Sequence, residues 1–226
     1  MSDFPRLRCV GDSAILVEFG DVIAPEINDR VMSLDKALQD ASLPGVVDFA
    51  PAYASLLVTY DPLRTGPEPL LELLSRLAHD VQPRTAQTRH IEIPVCYEPP
   101  FAPDLAHVAA QSGLSPEGVI AAHLASSFRV YMYGFTPGCA YMGGLSPEIC
   151  LPRRATPVQD VPAGSVIIAG PQCIVTTFTM PTGWWIIGHS PARIYDPASE
   201  SPFLFSIGDQ VRFRRVRTSE MGATGG

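Results

Sequence analysis

The chain has 226 residues, 46% of them hydrophobic and 17% charged, a folded globular composition that excludes an intrinsically disordered chain. That length suits one large domain or two modest ones, and either buries a core. A formal net charge of −7 argues against non-specific binding to nucleic acid or to an anionic membrane surface.

Residues 7–20, LRCVGDSAILVEFG, alternate in character and break at Gly11-Asp12, a turn pair, which predicts two short strands. Residues 24–40 carry Ile27, Val31, Leu34 and Leu38 at helical spacing with acids near the start. VVDFAPAYASLLVTYDP (46–62) reads as a β-hairpin whose halves meet near Pro51. GPEPLLELLSRLAHDV (66–81) follows as an amphipathic helix with proline in its first turn. The order β-(β)-α-β-β-α predicts a two-layer α+β sandwich domain over residues 1–84.

QPRTAQTRH (82–90) is polar and aperiodic, the expected linker. A second unit opens on a strand at IEIPVCYE (91–98). Two short helices follow, 103–113 and 115–127, the second with Ser115 as N-cap, Pro116 at N1 and Gly118 at N3. From Phe128 onward no helix is predicted. Strands at 129–134, 165–170, 174–180, 183–188 and 210–216 are separated by Gly/Pro turns, the spacing of a closed or nearly closed barrel over residues 88–217. The basic run VRFRRVR (211–217) alternates with apolar residues. It reads as the last strand with a solvated face, a phosphate-binding patch being the other reading.

The most informative stretch is YMYGFTPGCAYMGG (131–144). Glycines among large apolar side chains mark tight bends inside packed structure, where a flexible linker would carry Ser, Asn and charge. LPRRATP (151–157) and VPAGSVIIAGPQ (161–172) share this character.

Five cysteines with no CxxC spacing and no zinc-ligand cluster predict reduced thiols, mostly small core residues, and no metal site. The start MSDFPRLR has no signal-peptide pattern, and no apolar run is long enough to span a bilayer, so a cytoplasmic location is expected. Only one of the 16 basic residues is lysine, Lys36. A Schiff-base or P-loop lysine is therefore not expected, and any bound anion falls to arginine or to backbone N–H groups. No GxGxxG, GxxxxGK[ST], HExxH or GxSxG motif occurs.

Several side chains carry candidate chemistry. Arg153 and Arg154 stand between two prolines. They are either solvated surface arginines or guanidiniums held by a rigid loop for a carboxylate or phosphate. His123, beside Ile120 and Leu124 on the second short helix, is either a packed structural residue or a general acid–base. Gln172 offers a planar amide that both donates and accepts. Tyr131, Phe135 and Tyr141 either floor a ligand pocket or fill the barrel core. His189 sits at a strand end where a pocket mouth can form, whereas His79, His90 and His107 read as surface residues.

The succession VYMYGFTPGCAYMGGL, PRRATP, VPAGSVIIAG and GWWIIG, preceded by GDSAILVEFG and SLLVTYDP, resembles the family of 5-oxoprolinase B subunits, also called Kip-type kinase inhibitor or allophanate hydrolase subunit 1. The match covers nearly the whole chain. It implies an α+β N-terminal domain followed by a cyclophilin-like β-barrel domain. It also implies a cytoplasmic hetero-oligomer with two partners, one of the allophanate hydrolase subunit 2 type (the 5-oxoprolinase C subunit) and one of the LamB/YcsF type (the A subunit). The implied activity is ATP-dependent opening of 5-oxoproline to L-glutamate, with ATP used by the complex and no cofactor or metal bound to this chain. Such a reaction needs a cation for the substrate carboxylate, an amide reader and a proton carrier. Arg153 or Arg154, Gln172 and His123 are residues of these types. Two positions depart from the pattern: Cys139 stands where an aromatic is expected, and His189 where no fixed histidine is. The family name also covers inhibition of a sensor histidine kinase by direct binding, and fold analogy alone suggests peptidyl-prolyl isomerisation.

Overall fold

A computed structural model describes residues 4–41, 43–82 and 88–222. Contacts divide the chain into two compact units, split after residue 87. The stretch 83–87, within the expected linker, lies outside the described residues.

The first unit runs β1 (Arg6–Val10), β2 (Ala14–Glu18), α1 (Pro25–Ala41), β3 (Val46–Pro51), β4 (Ser55–Tyr60) and α2 (Pro67–Asp80). Its strands form an antiparallel sheet in the order β1-β2-β4-β3. On β4 alternate residues Leu56, Val58 and Tyr60 are buried, as the two-residue period of a strand requires when one face meets a core. Val31, Leu34 and Leu38 of α1 and Leu70, Leu74 and Ala78 of α2 supply the other half of that core. The expected two-layer sandwich is therefore present.

The second unit contains β5 (His90–Cys96), α3 (Leu105–Ser112), α4 (Pro116–Ala125), β6 (Phe128–Tyr133), β7 (Ala140–Gly143), β8 (Val158–Val161), β9 (Ser165–Ala169), β10 (Gln172–Val175), β11 (Met180–Thr182), β12 (Trp185–His189) and β13 (Gln210–Val216). Seven strands close in the order β10-β7-β6-β13-β5-β12-β9. Closure removes free strand edges, which is why so many short strands form one stable body. The Ser115 cap forms as expected, its hydroxyl accepting from Gly118 N–H at 3.0 Å. The last strand β13 buries Val211, Phe213 and Val216. Its exposed Arg214 and Arg215 pair with Glu92 and Glu117, so it has the solvated-face form. The run 174–180, expected as one strand, divides instead: β10 ends at Val175 and β11 starts at Met180, with β8 and β11 forming a separate two-stranded sheet.

Gly144, at φ +108, shows why the glycine-rich stretch has its composition. A Cβ there would collide with the Ser127 carbonyl oxygen, so the chain passes only as glycine.

Among the described residues no helix is long and apolar enough to cross a membrane. No group of three or more His, Cys, Asp or Glu side chains among them is placed to hold a metal ion.

The barrel unit has its own large core, drawn from both short helices and all seven strands. A fragment of residues 88–222 is expected to fold without the first unit and unfold in one cooperative transition. Thermal melts followed by circular dichroism check this. A fragment without a cooperative transition, alone or with its partner chains, would refute the division into independent domains.

Candidate functional site

β9 and β10 form a wall with two differently used faces. Val166, Ile168, Cys173 and Val175 point into the main core, whereas Ile167, Ala169 and Ile174 belong to a second apolar cluster with Cys139, Val161, Met180, Trp184 and Ile186. This split follows from strand alternation. The outer cluster does not close completely. It leaves a cavity of about 130 Å³ lined by Phe135, Cys139, Tyr141, Arg153, Ile167 and Ile174 together with residues 180–184.

Three of the residues singled out from sequence meet here. The Arg153 guanidinium lies 5.5 Å from the centre of the Trp184 ring. No acidic side chain among the described residues pairs with it. Tyr141 stands edge-on to Trp184, with ring centres 5.9 Å apart. Burial raises the Tyr141 pKa and the nearby Cys139 adds to the rise, while Arg153 pulls it back, so the phenol is a neutral hydrogen-bonding group beside a cation. Phe135 sits at the edge, 68% exposed and at φ +68, a left-handed conformation uncommon for an aromatic residue. Cys139 is fully buried and burial pushes its thiol up to about 11, so it lines the cavity as an unreactive small group.

Arg154 has a different fate. Its guanidinium forms an ion pair with Asp104, and its Nε donates to the Trp184 carbonyl at 3.4 Å. The same group lies 4.3 Å from the centre of the Trp185 ring. Asp104 in turn accepts from Ile186 N–H at 2.7 Å. Arg154 therefore ties the PRRATP loop to β12 and the start of α3.

His123 lies on the other side of the wall. It is completely buried, shares a 2.7 Å hydrogen bond through Nδ1 with Tyr97 Oη, and meets Cys173 Sγ at 3.6 Å through Nε2. Phe213 and Phe128 pack against its ring, with centres 4.6 and 5.2 Å away. Desolvation lowers its pKa to about 3, which keeps the imidazole neutral. Cys173 and Ile174 are neighbours on β10 and so face opposite ways; His123 touches the first, while the cavity rests on the second. The structure thus places His123 in the core, out of reach of a ligand in this cavity.

Tyr131 is buried at the bulge in the β6–β7 pairing, with the Arg129 guanidinium 5.9 Å from its ring centre. Gln172 opens β10 between Gly143 of β7 and Ala169 of β9. Neither lines the Arg153 cavity. Sequence reading missed Trp184 and Met180, which complete it. The paired tryptophans of GWWIIG were the available signal, because neighbours in near-extended chain face opposite sides; Trp184 stands just before β12 and Trp185 opens it. Trp184 faces the cavity, whereas the half-buried Trp185 stacks on His107 at 4.4 Å.

A larger cavity of about 670 Å³ opens at the end of the barrel. It is lined by Gly164, Thr177, His189, Ser190, Arg193 and Tyr195 among others. His189 thus occupies the pocket position suggested by its place at a strand end. Its ring is half-buried, with Phe101 at 5.4 Å, and burial lowers its pKa.

Residues 5–205 match the family described as carboxyltransferase domain, subdomain C and D. The B subunit of 5-oxoprolinase from Bacillus subtilis (strain 168) is 36% identical over 229 residues, covering 96% of this chain and 95% of its own. The chain belongs to the family of 5-oxoprolinase B subunits. A solved relative, TTHA0988, is 39% identical with a TM-score of 0.78. The match covers 94% of this chain but only 40% of that one, so this chain spans less than half of TTHA0988. The Kluyveromyces lactis urea amidolyase superimposes at a TM-score of 0.82 with 20% identity, a likeness of fold, over 99% of this chain and 16% of that one. Family and architecture agree with the resemblance read from the motifs: an α+β N-terminal domain precedes a closed barrel.

Proposed function

We propose that this chain is the B subunit of a cytoplasmic 5-oxoprolinase complex, which opens 5-oxoproline to L-glutamate with consumption of ATP. The observation that carries this reading is the Arg153 cavity, in a chain whose family relatives bear that name. A cation with no acidic partner among the described residues stands over a small aromatic-walled space of about 130 Å³. Arg153 would hold the substrate carboxylate, the neutral Tyr141 would hydrogen-bond the ring amide, and Trp184 would pack against the ring.

A five-membered lactam is a poor electrophile with a poor leaving group. Transfer of the terminal phosphoryl group of ATP to the amide oxygen releases ADP and activates the ring carbon. Water then adds to that carbon and the ring C–N bond breaks with the nitrogen taking a proton, which leaves an acyl phosphate on the opened chain. A second water hydrolyses it to the L-glutamate carboxylate and free phosphate. Arg153 would hold the substrate throughout. His123 and Arg154 take no part in this reading, since one is sealed in the core and the other is committed to Asp104. The phosphoryl donor and the remaining catalytic groups would come with a partner of the allophanate hydrolase subunit 2 type (the C subunit) and one of the LamB/YcsF type (the A subunit).

The purified chain, given ATP and 5-oxoproline, is expected to release no glutamate. Adding both partner chains should release glutamate and phosphate in equal amounts. A full complex without turnover, or full turnover by the single chain, would overturn this reading.

A further inference from the structure

Three loops meet at one rim of the barrel. The Thr136 and Thr177 hydroxyls are 3.1 Å apart, and the left-handed Gly138 backs directly onto Tyr195 and Phe203. Tyr195 stacks on Phe203 with ring centres 5.5 Å apart and meets Phe178 at the same distance. The result is a row of large aromatic side chains in which Phe178 is 41% and Phe203 43% exposed, with Phe135, 68% exposed, on the same 134–139 loop as Gly138. A soluble surface rarely leaves contiguous apolar area of this kind uncovered. The rim also contributes to both cavities. Phe135 lines the smaller one, and Thr177 and Tyr195 line the larger.

We infer that this aromatic rim is the docking surface for the chain carrying the rest of the carboxyltransferase-type domain. The inference rests on the B-subunit reading above. Two further observations choose that occupant. The family match names subdomains C and D, a part of a larger domain. In TTHA0988 the matched region is 40% of one continuous chain, so most of that protein lies beyond it and is tethered to the equivalent of this unit. Exposed phenylalanines in a supported cluster have the character of interface anchors, because a preordered ring loses little freedom on burial. A chain seated here would cover the mouths of both cavities and exclude water from the Arg153 site.

The test is a titration of this full chain with the recombinant partner chain that bears the remainder of the domain, followed by calorimetry. Phe178→Ser with Phe203→Ser is expected to weaken the complex by about thirtyfold or more, the scale of a hot-spot pair. Leu63→Ser, 95% exposed on the first unit, should leave it unchanged. Hydrogen exchange of the wild-type complex provides a second readout that needs no substitution, with protection expected over residues 134–139 and 176–179. Wild-type affinity in the double variant, or protection confined to other segments, overturns the surface assignment while the complex itself stands. Failure of the wild-type chain to form any complex sinks the B-subunit reading and this surface with it. If the wild-type chain instead pairs with itself and the double variant does not, the occupant is a second copy and the assignment is wrong.

Discussion

Arg153→Lys is expected to lower the activity of the reconstituted complex by roughly a hundredfold while leaving the melting temperature of the chain unchanged. Lysine keeps the charge but offers a point ammonium in place of a planar fork, so it loses the two-pronged grip on a carboxylate and the stacking on Trp184. One charge-assisted contact of this type is worth on the order of 2–3 kcal/mol, which sets the hundredfold scale. Exposed loop side chains typically change stability by about 0.5 kcal/mol at most, hence the unchanged melt. Arg154→Lys should behave in the opposite way. Its guanidinium joins Asp104, the Trp184 carbonyl and the Trp185 ring, so its replacement should lower the melting temperature and reduce activity only through that loss. Steady-state kinetics beside thermal melts of both variants decide between the roles. Wild-type activity for Arg153→Lys would remove the clamp from the proposed site.

The second large effect is on stability against pH. In the folded chain burial holds His123 down at about 3, whereas an unfolded histidine titrates near 6.5. Above about 6.5 the ring is neutral in both states and contributes no pH dependence. As pH falls from 6.5 toward 3 the unfolded chain takes up a proton that the folded chain refuses. Stability therefore drops, by up to about 1.4 kcal/mol per pH unit and several kcal/mol in all. His189, also lowered by burial but only half-buried, adds a smaller loss of the same sign. Denaturant titrations at steps between pH 7 and pH 5, above most carboxylate titration, should show this slope. His123→Gln should start less stable at pH 7, because it disturbs the contacts to Tyr97 and Cys173, and should then show a shallower slope. An identical slope in both proteins would mean that another group governs the acid response.

Local pattern alone determined most of the architecture. The 3.6-residue spacing of Val31, Leu34 and Leu38, the turn at Gly11-Asp12, the Ser115 cap and the alternation from Val211 to Arg214 each reappear as expected, because each records a choice made within a few neighbouring residues. The glycine-rich motifs likewise pointed to the family, since a glycine such as Gly144 is required where the backbone passes directly against the Ser127 carbonyl. The interruption of residues 174–180 was not legible. These residues are apolar and β-branched enough for a continuous strand, and only the separate β8–β11 pairing explains the break.

For the candidate site, sequence supplied the residue types and tertiary structure supplied their assignment. Arg153 and Arg154 are indistinguishable as adjacent arginines on a proline-flanked loop. Asp104, far earlier in the chain, takes one and leaves the other at the cavity. His123 is a histidine of equal promise to any other until the barrel closes around it. Alternation says that Cys173 and Ile174 face opposite ways, but only closure decides which way is inside. The period of a strand is a local property, whereas burial depends on what the far ends of the chain bring to its faces, and that is why the placement of these side chains was decided by the fold.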